Sequence, residues 1–302
     1  MKRLSATVCL SALCAWAPAD DTAMSNDALY ERVPGAARTV FQLYAKSPRG
    51  TSSGSAVMVG PGLLATSCHV LGEATHGVVV QTGEALTVDL VAADYRRDLC
   101  ILRSDQIGAR AAPLIPSSQV SKRDVVFSLG FTAGRFAYDV GEVKQLYAMD
   151  GSRVLRGSAA FAAGASGGGL FDHEGRLIGI LTFYKLSPDK SMFFAIPADW
   201  VPEVLAAGIK PRLPDQAPFW AEPGATRAPF LQAVQFEHEG RWDELARHCR
   251  SWLMAQPDSV EARVRRCFAR IRRSSRQARA PCPPHASERA AAEKARAPPW
   301  RR

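Results

Sequence analysis

The chain has 302 residues, of which 47% are apolar and 22% are charged, and its formal net charge is +9. This composition is typical of a soluble globular protein of one or two domains and excludes an intrinsically disordered chain. The excess charge lies at the C-terminus, where residues 264–302 contain twelve Lys and Arg against two Glu. The rest of the chain is close to neutral, so the basic balance does not indicate specific nucleic-acid binding.

Residues 1–19 have the organisation of a secretory signal peptide. Lys2 and Arg3 precede an uncharged, mostly apolar run, and Ala17-Pro18-Ala19 forms a small-residue cleavage signal. The apolar run is short for a membrane span, and no later segment is long and apolar enough to form one. We therefore expect an exported protein, periplasmic or extracellular, without a transmembrane segment. A buried N-terminal helix is the alternative.

Residues 28–209 read as one domain made of many short strands. The runs are rich in Val, Ile, Leu, Phe and Tyr and are separated by clusters of Gly, Pro, Asp and Ser. Closely spaced strands of this kind favour an all-β barrel or sandwich, and no strand–helix alternation indicates a parallel sheet. Examples are TVFQLYA, GSAVMVG, LTVDLVAAD, GRLIGILTFY and MFFAIP.

The character of the chain changes after this β region. Residues 210–228 carry repeated Pro and are predicted to form a linker, and residues 229–274 show the apolar spacing of amphipathic helices. Residues 275–302 are rich in Arg, Ala and Pro, and we expect a disordered basic tail. Such a tail could touch anionic lipid or nucleic acid only through charge, and a solvated end is the simpler interpretation.

Three segments of the β region carry residues suited to nucleophilic catalysis. LLATSCHVLG places His69 after an apolar strand, DYRRDLCILR places Asp98 before another strand, and GASGGGLF contains Ser166. A serine hydroxyl needs a neighbouring base, and an imidazole suits that role near neutral pH. A buried carboxylate then fixes the imidazole tautomer and stabilises the imidazolium. Each residue alone has an ordinary structural interpretation, and only the combination indicates a site.

The glycines around Ser166 suit a second requirement of acyl transfer. Stabilising an oxyanion needs two backbone N–H groups that converge on one point, in a tight loop that tolerates few Cβ atoms. The amides of Gly164 and Ser166 are the predicted donors. Gly167 and Gly168 would let the chain turn away into the next strand.

These motifs resemble the catalytic motifs of trypsin-like serine peptidases, and most closely those of the bacterial HtrA-type branch. The matching segments are TSCHV, DLCIL and GASGG, together with GSAVMVGPGLLATSCHV before the histidine and FFAIPADWV near the end of the domain. The resemblance covers roughly residues 30–204. It implies two antiparallel six-stranded β-barrels of the chymotrypsin-like fold, mainly β, with a site in the cleft between them.

By position, the resemblance makes His69 the general base, Asp98 the orienting acid and Ser166 the nucleophile. Asp94 is a fallback for the acid. Ala165 stands where relatives carry Asp or Asn, so activation by a new N-terminal amine is not expected. The implied chemistry uses no cofactor and no metal, and the histidines elsewhere in the chain show no metal-ligand spacing.

The same alignment predicts the primary specificity pocket. No carboxylate falls at its base, so no preference for Lys or Arg substrates is expected. Bulky walls should shorten the pocket and favour small aliphatic P1 residues, those immediately before the scissile bond. The predicted pocket residues are Ala160, Phe161, Thr182, Tyr184 and Met192.

Five cysteines remain if the signal peptide is removed. Cys68 adjoins the base and Cys100 lies two residues beyond the acid, so a disulfide between them would follow if the catalytic side chains meet. Two buried thiols are the alternative. Cys249 and Cys267 lie on successive predicted helices, where a second bridge is conceivable.

The segment EGRWDELARHCRSWLMAQPDSVEARVRRCFA resembles a tetratricopeptide repeat, but it covers only about one and a half units. Fewer than three repeats seldom stand alone, so this part should dock on the barrels, assemble with a partner or remain marginally stable. We expect either a platform for a protein partner or a structural appendage.

Together these features predict an exported serine endopeptidase that forms an acyl-enzyme with a Ser-His-Asp triad and acts on protein or peptide substrates. The alternative is a catalytically degenerate peptidase fold that serves as a scaffold for a client or partner.

Overall fold

The computed structural model describes residues 31–48, 50–186, 191–213 and 216–278. The predicted signal peptide and most of the predicted basic tail lie outside these ranges. Among the described residues, no helix combines the length and apolar content needed to cross a bilayer.

The first six strands form a closed antiparallel barrel with the order β1-β2-β3-β6-β5-β4. Each strand is rich in the β-branched and aliphatic residues that pack well on a pleated surface. Its strands are β1 Val40–Ser47, β2 Gly50–Gly60, β3 Leu63–Ser67, β4 His76–Gln81, β5 Glu84–Asp94 and β6 Leu99–Arg103.

The next six strands form a second closed barrel with the order β10-β11-β12-β9-β8-β7, which repeats the connectivity of the first. The expected mainly β fold with two six-stranded antiparallel barrels is therefore confirmed. Its strands are β7 Val125–Thr132, β8 Arg135–Met149, β9 Ser152–Gly157, β10 Gly169–Asp172, β11 Leu177–Lys185 and β12 Met192–Pro197.

Three β-hairpins have the same type of turn. The two-residue loops Thr82-Gly83, Ala133-Gly134 and Asp150-Gly151 have positive φ at both positions, between 46° and 86°. Two positive φ values define the type I′ turn, whose twist matches that of the flanking strands. The glycine at the second position makes this turn readily accessible in each case.

The buried apolar side chains of the described ranges form three clusters. One fills the first barrel, with Leu43, Met58 and Leu102 among its members, and a second fills the second barrel around Leu155 and Ile178. The third contains residues of both barrels and of the C-terminal helices. The helical part thus shares a core with the barrels.

In the described part of the chain six α-helices accompany the barrels, and the last three form the C-terminal part. Phe230 stacks on Tyr147 of β8 with ring centroids 4.5 Å apart, and Arg265 donates a hydrogen bond of 3.1 Å to the Tyr147 hydroxyl. Docking on the barrels, one of the outcomes expected for the helical part, is therefore what the structure shows. The helices are α1 Val33–Ala37, α2 Cys68–Leu71, α3 Trp200–Ala207, α4 Pro229–His238, α5 Trp242–Ala255 and α6 Val260–Ala278.

Two features of this region were not expected from the sequence. The predicted linker packs onto the barrels, because Phe219 is fully buried and its amide donates to the carbonyl of Arg96 at 2.8 Å. Helix α6 continues to Ala278, four residues into the segment expected to be a disordered tail. The likeness of the helices to a tetratricopeptide repeat stays a prediction.

The bridge considered between Cys249 and Cys267 is absent, since both residues are free thiols. Cys249 is buried, whereas Cys267 is exposed. Helix periodicity explains the difference. The buried positions of α6 include Arg265 and Ala269. Cys267 lies midway between those two residues and therefore on the opposite face of the helix.

Candidate active site

His69 and Asp98 come from two connections of the first barrel. Strand β3 ends at Ser67, and His69 is the second residue of the single-turn helix α2 that follows. Asp98 is the last residue of the turn between β5 and β6. The Cys68 amide donates to the Asp98 carbonyl at 3.2 Å, which joins the two connections directly. The structure thus brings this pair together.

The imidazole and the carboxylate make a close contact. His69 Nδ1 lies 2.7 Å from Oδ2 of Asp98, and the His69 amide donates to Oδ1 at 2.9 Å. An ionised carboxylate only accepts, so Nδ1 carries the hydrogen and Nε2 is left free to accept a proton. The Asp98 side chain is 1% exposed and that of His69 is 32% exposed. The Asp98 carboxylate is buried, whereas the His69 imidazole remains accessible to a substrate.

Asp98 also has an unusual backbone. Its φ is +59°, in the left-handed region that residues other than glycine seldom adopt. The carboxylate receives further hydrogen bonds from Thr182 Oγ1 at 2.6 Å and from Trp220 Nε1 at 3.2 Å. These donors fix the position of the buried carboxylate and provide hydrogen bonds that offset the loss of water.

Ser166 comes from the second barrel, in the loop between β9 and β10. Its hydroxyl donates to the carbonyl of Thr182 at 3.1 Å. In the described part of the chain no hydrogen bond joins Ser166 to His69. Hydroxyls of unliganded sites often point elsewhere, and a rotation about one bond redirects them. Thr182 therefore contacts both Asp98 and Ser166, the first through its side chain and the second through its backbone.

Two consecutive turns shape the loop around Ser166. The amide of Ala165 donates to the carbonyl of Ala162 at 3.0 Å, and the amide of Gly168 donates to the carbonyl of Ala165 at 2.9 Å. The third residues of these turns, Gly164 and Gly167, have φ of +96° and +85°, whereas the second residues do not have positive φ. This combination identifies type II turns, which require glycine at the third position.

The turn type determines the direction of the amide of Gly164. A type I turn would reverse the peptide between Ala163 and Gly164 and present a carbonyl oxygen instead of an N–H. Neither Gly164 nor Ser166 donates its amide within the described hydrogen bonds. These are the two amides expected to bind an oxyanion, and the geometry leaves both available.

Ser55 of β2 was missed by sequence reasoning, although it holds the nucleophile loop. Its hydroxyl donates to the carbonyl of Gly164 at 2.9 Å and accepts from the amide of Phe131 at 2.8 Å. Its own amide donates to the carbonyl of Ser166 at 2.8 Å. Ser55 is fully buried, and a Cβ on Gly167 would lie 2.1 Å from its carbonyl oxygen. The first barrel thus fixes the shape of a loop of the second.

Cys68 and Cys100 form a disulfide, with Cα atoms 5.0 Å apart. Thr66 pairs with Cys100 across β3 and β6, which places the start of α2 against β6. The bond therefore ties together the chain segments that carry His69 and Asp98.

The residues predicted for the specificity pocket stay a prediction, and two of them lie in an aromatic cluster. Phe161 and Tyr184 meet edge to face with ring centroids 5.6 Å apart, and both lie close to Phe193, at 5.5 and 6.2 Å. Met192, predicted from the sequence as a pocket wall, precedes Phe193 on β12. Neighbouring residues of a strand face opposite sides, so Met192 lies on the face opposite to Phe193.

The other three predicted pocket residues have separate surroundings. Ala160 lines a cavity together with Phe161, and its amide donates to Asp139 at 2.6 Å. Met192 is buried, and its sulfur lies 3.4 Å from a guanidinium nitrogen of Arg156. The Thr182 side chain is buried and donates to Asp98.

Asp94, the fallback for the acid, has other partners. Its carboxylate accepts from Lys210 Nζ at 2.6 Å and from the Arg97 amide at 3.1 Å. Burial raises the pKa of Asp94, but these two hydrogen bonds outweigh it and leave the pKa below its ordinary value. No contact joins Asp94 to His69 among the described hydrogen bonds. Within the described ranges, no group of three or more potential metal ligands is found.

Trp220 was also missed, since it lies in the predicted linker. Its indole meets the His69 ring edge to face, with centroids 5.5 Å apart and planes at 85°. It also stacks on Phe183 of β11 at 5.3 Å. No local pattern in the sequence marks this residue as part of the site.

Comparisons with known proteins agree with this geometry. A profile of the trypsin-like peptidase domain matches residues 54–180, a range that contains His69, Asp98 and Ser166. The structure of the HtrA-type protease AlgW with a tripeptide is 29% identical, with a TM-score of 0.54 over 59% of this chain and 62% of that chain. The serine endoprotease from Yersinia pestis is 27% identical, with a TM-score of 0.53 over 59% and 65%.

One further relative is named as an anti-sigma factor and not as a protease. The anti-sigma-I factor RsgI9 of Acetivibrio thermocellus is 29% identical over 165 residues, which are 52% of this chain and 23% of that protein. This chain spans less than two thirds of the length of each of these relatives. The fold, the matched profile and the HtrA-type neighbours agree for the barrel region. Residues 54–180 therefore match a trypsin-like peptidase domain, within a two-barrel fold like that of the HtrA-type proteases.

Proposed function

We propose that the protein is a serine endopeptidase that cleaves peptide bonds through an acyl-enzyme. The observation that carries the proposal is the contact of His69 Nδ1 with the buried carboxylate of Asp98, 2.7 Å away. It gives the imidazole the tautomer that a general base needs.

In the proposed mechanism the Ser166 hydroxyl rotates from the Thr182 carbonyl towards His69. Nε2 removes the hydroxyl proton while Oγ attacks the substrate carbonyl carbon, and the resulting oxyanion is bound by the amides of Gly164 and Ser166. The imidazolium then gives its proton to the leaving amine, and the C–N bond breaks. Water repeats the sequence on the acyl-enzyme and releases the acid, while the Asp98 carboxylate stabilises the imidazolium throughout.

Small residues are the proposed P1 preference. The rings of Phe161, Tyr184 and Phe193 lie within 5.5–6.2 Å of one another in the region assigned to the pocket. Three aromatic side chains in mutual contact leave little depth for a long side chain. Ala or Val would fit there better than Phe, Lys or Arg.

Export is also part of the proposal, with residues 1–19 as the signal peptide and residues 28–209 as the peptidase domain. The Cys68–Cys100 disulfide supports it, because such bonds persist in oxidising compartments and are rare in the cytosol. N-terminal sequencing of the exported protein tests the assignment. A mature chain that begins at Asp20 is expected, and retention of Met1 on folded, active protein would contradict it.

The helical part is proposed to contact protein clients. Among its exposed apolar side chains are Met254, Val260 and Val264, with exposed fractions of 78%, 68% and 61%. Val264→Asp should then raise KM for unfolded casein and leave KM for a short peptide unchanged. Equal effects on both substrates would contradict this role.

Hydrolysis of unfolded casein tests the proposed activity. Purified full-length protein should release fragments, and Ser166→Ala should release none at the same concentration. Folded protein without casein activity, or equal activity of the Ser166→Ala variant, would contradict the proposal.

A further inference from the structure

We propose that Trp220 is a positioning residue for the His69–Asp98 pair, supplied by a segment outside the two barrels; this inference rests on the proposed function. Its indole Nε1 donates to Oδ2 of Asp98 at 3.2 Å, and its ring edge lies against the imidazole. One side chain thus contacts both the acid and the base.

The hydrogen bond from Trp220 to Asp98 favours one charge state of the carboxyl group. An indole N–H donates and cannot accept, so it stabilises the ionised carboxylate more than the neutral acid, because the charged oxygen is the stronger acceptor. It joins His69 Nδ1 and Thr182 Oγ1 on the same oxygen, Oδ2. The bulk of the indole also keeps water from the carboxylate, and hydrogen bonds are stronger in such low-dielectric surroundings.

The contact with His69 restricts the imidazole. Its ring is bonded to Asp98 on one edge, and its side chain is 32% exposed. Trp220 is itself stacked on Phe183 at 5.3 Å, so the indole presents a fixed wall. Edge-to-face contacts of this kind are favourable. The wall keeps Nε2 directed at the position that the Ser166 hydroxyl reaches after rotation.

The segment that carries Trp220 is anchored on both sides. Phe219 is fully buried, its amide donates to the Arg96 carbonyl at 2.8 Å, and the Arg96 guanidinium pairs with Glu222 at 2.9 Å. Arg227 then donates to the Glu222 carbonyl at 3.0 Å. Trp220 is therefore held by contacts on either side of it.

The anchoring also reaches the helices. The rings of Phe219 and Phe230 of α4 lie 6.3 Å apart, and Arg227 donates to Gln235 of α4 at 2.7 Å. The placement of Trp220 consequently depends on the docked helical part. In this account the C-terminal part completes the catalytic site and is more than an appendage.

Two variants of the full-length protein separate the contribution of the indole hydrogen bond from that of the ring contact. Trp220→Phe keeps a ring beside His69 but removes the N–H, and kcat should fall about fivefold, less than for an ideal bond to a charged group because this contact is long, at 3.2 Å. Trp220→Ala removes both contacts, and kcat should fall about thirtyfold. KM should change less than about threefold in each, because the substrate does not need the indole for binding. Trp242→Phe, on α5, is the matched control and should behave like the wild type.

A spectroscopic signature distinguishes positioning from a general effect on folding. With ¹⁵N-labelled histidine, the His69 Nδ1 proton should give a far-downfield signal that exchanges slowly in the wild type and in Trp220→Phe. In Trp220→Ala it should exchange faster at the same temperature. An unchanged signal, or a Trp220→Ala variant with wild-type or higher kcat, would overturn the proposal. This signal does not require activity, so it reports on Trp220 even if casein hydrolysis fails.

Discussion

The hydroxyl of Thr182 donates a hydrogen bond of 2.6 Å to Oδ2 of Asp98, and so links the second barrel to the acid of the first. The carbonyl of the same residue accepts the hydroxyl of Ser166 at 3.1 Å. Thr182 thereby connects the two halves of the site. It was expected from the sequence in another role, as a pocket wall.

Thr182→Val tests this connection. The substitution keeps the shape but removes the donor, which leaves the buried carboxylate one hydrogen bond short. Hydrogen bonds to charged groups contribute about 1.5–3 kcal/mol, so we expect kcat/KM to fall by roughly tenfold to a hundredfold. Steady-state kinetics on a peptide substrate measure it. Thr182→Ser retains the hydroxyl and should remain within about threefold of the wild type; an equal loss in both variants would contradict the assigned role.

Gly164→Ala tests the oxyanion site. The φ of +96° is unfavourable for alanine, and the new Cβ would lie 2.7 Å from the Phe131 carbonyl oxygen. The turn should relax to type I and reverse the amide of residue 164. Loss of one oxyanion donor lowers kcat by about 10²–10³-fold. The neighbouring Ala163→Gly variant, measured in parallel, should retain most of the activity, and a Gly164→Ala enzyme with normal kcat would exclude this amide from the site.

Tyr184→Ala and Phe193→Ala test the specificity pocket. Each removes one ring from the aromatic cluster around Phe161 and should deepen the cavity. Wild-type cleavage of a peptide library should occur after Ala or Val, and each variant should gain at least about tenfold for Leu or Phe relative to Ala. Dominant cleavage after Arg in the wild type would refute the proposed pocket.

The two-barrel fold could be predicted from the sequence, and the tight loop around Ser166 could be as well, because both have local signatures. Short apolar runs between turn residues define the barrels, and glycine on either side of a serine indicates a tight loop. The roles of Ser55 and Trp220 could not be predicted. Ser55 bonds to Gly164 across 109 positions and Trp220 bonds to Asp98 across 122, and nothing local specifies such contacts.

Strand register and helix rotation explain two further differences from the sequence-based expectations. Strand β11 has an irregularity between Leu181 and Phe183 where it pairs with β12, so counting along the strand does not give the face of each side chain. That is why Phe193, and not Met192, meets Tyr184. The absence of a Cys249–Cys267 bond has the same kind of cause, a rotation about α6 that spacing in sequence did not reveal.

Alkylation should distinguish the cysteines of the folded protein. Burial raises the pKa of the Cys249 thiol to about 11, so the reactive thiolate is scarce at pH 8, and the side chain is also inaccessible. Cys267 is exposed and should react with iodoacetamide within minutes, as measured by mass spectrometry of peptides. Cys68 and Cys100 should react only after reduction. Rapid native modification of Cys249 would contradict the docking of the helices.

The stability of the helical part should fall in mild acid. Burial lowers the pKa of His248, against the opposing effect of its hydrogen bond to the Pro229 carbonyl. The unfolded chain therefore takes up this proton more readily than the folded one, and the contribution is present above the unfolded pKa of about 6.5 and lost as pH falls through the folded pKa. Urea unfolding at pH 7.5 and 5.5 measures it. His248→Gln should show a smaller difference between the two pH values; an identical difference would show that His248 is not responsible.

The central claim is that Ser166 is a nucleophile activated by His69. The most direct measurement is labelling by a fluorophosphonate, followed by mass spectrometry of the labelled peptide. One adduct per chain on Ser166 is predicted for the wild type, with none in Ser166→Ala and strongly slowed labelling in His69→Ala. Folded wild-type protein that stays unlabelled at millimolar reagent, or an adduct on another residue, would contradict the account.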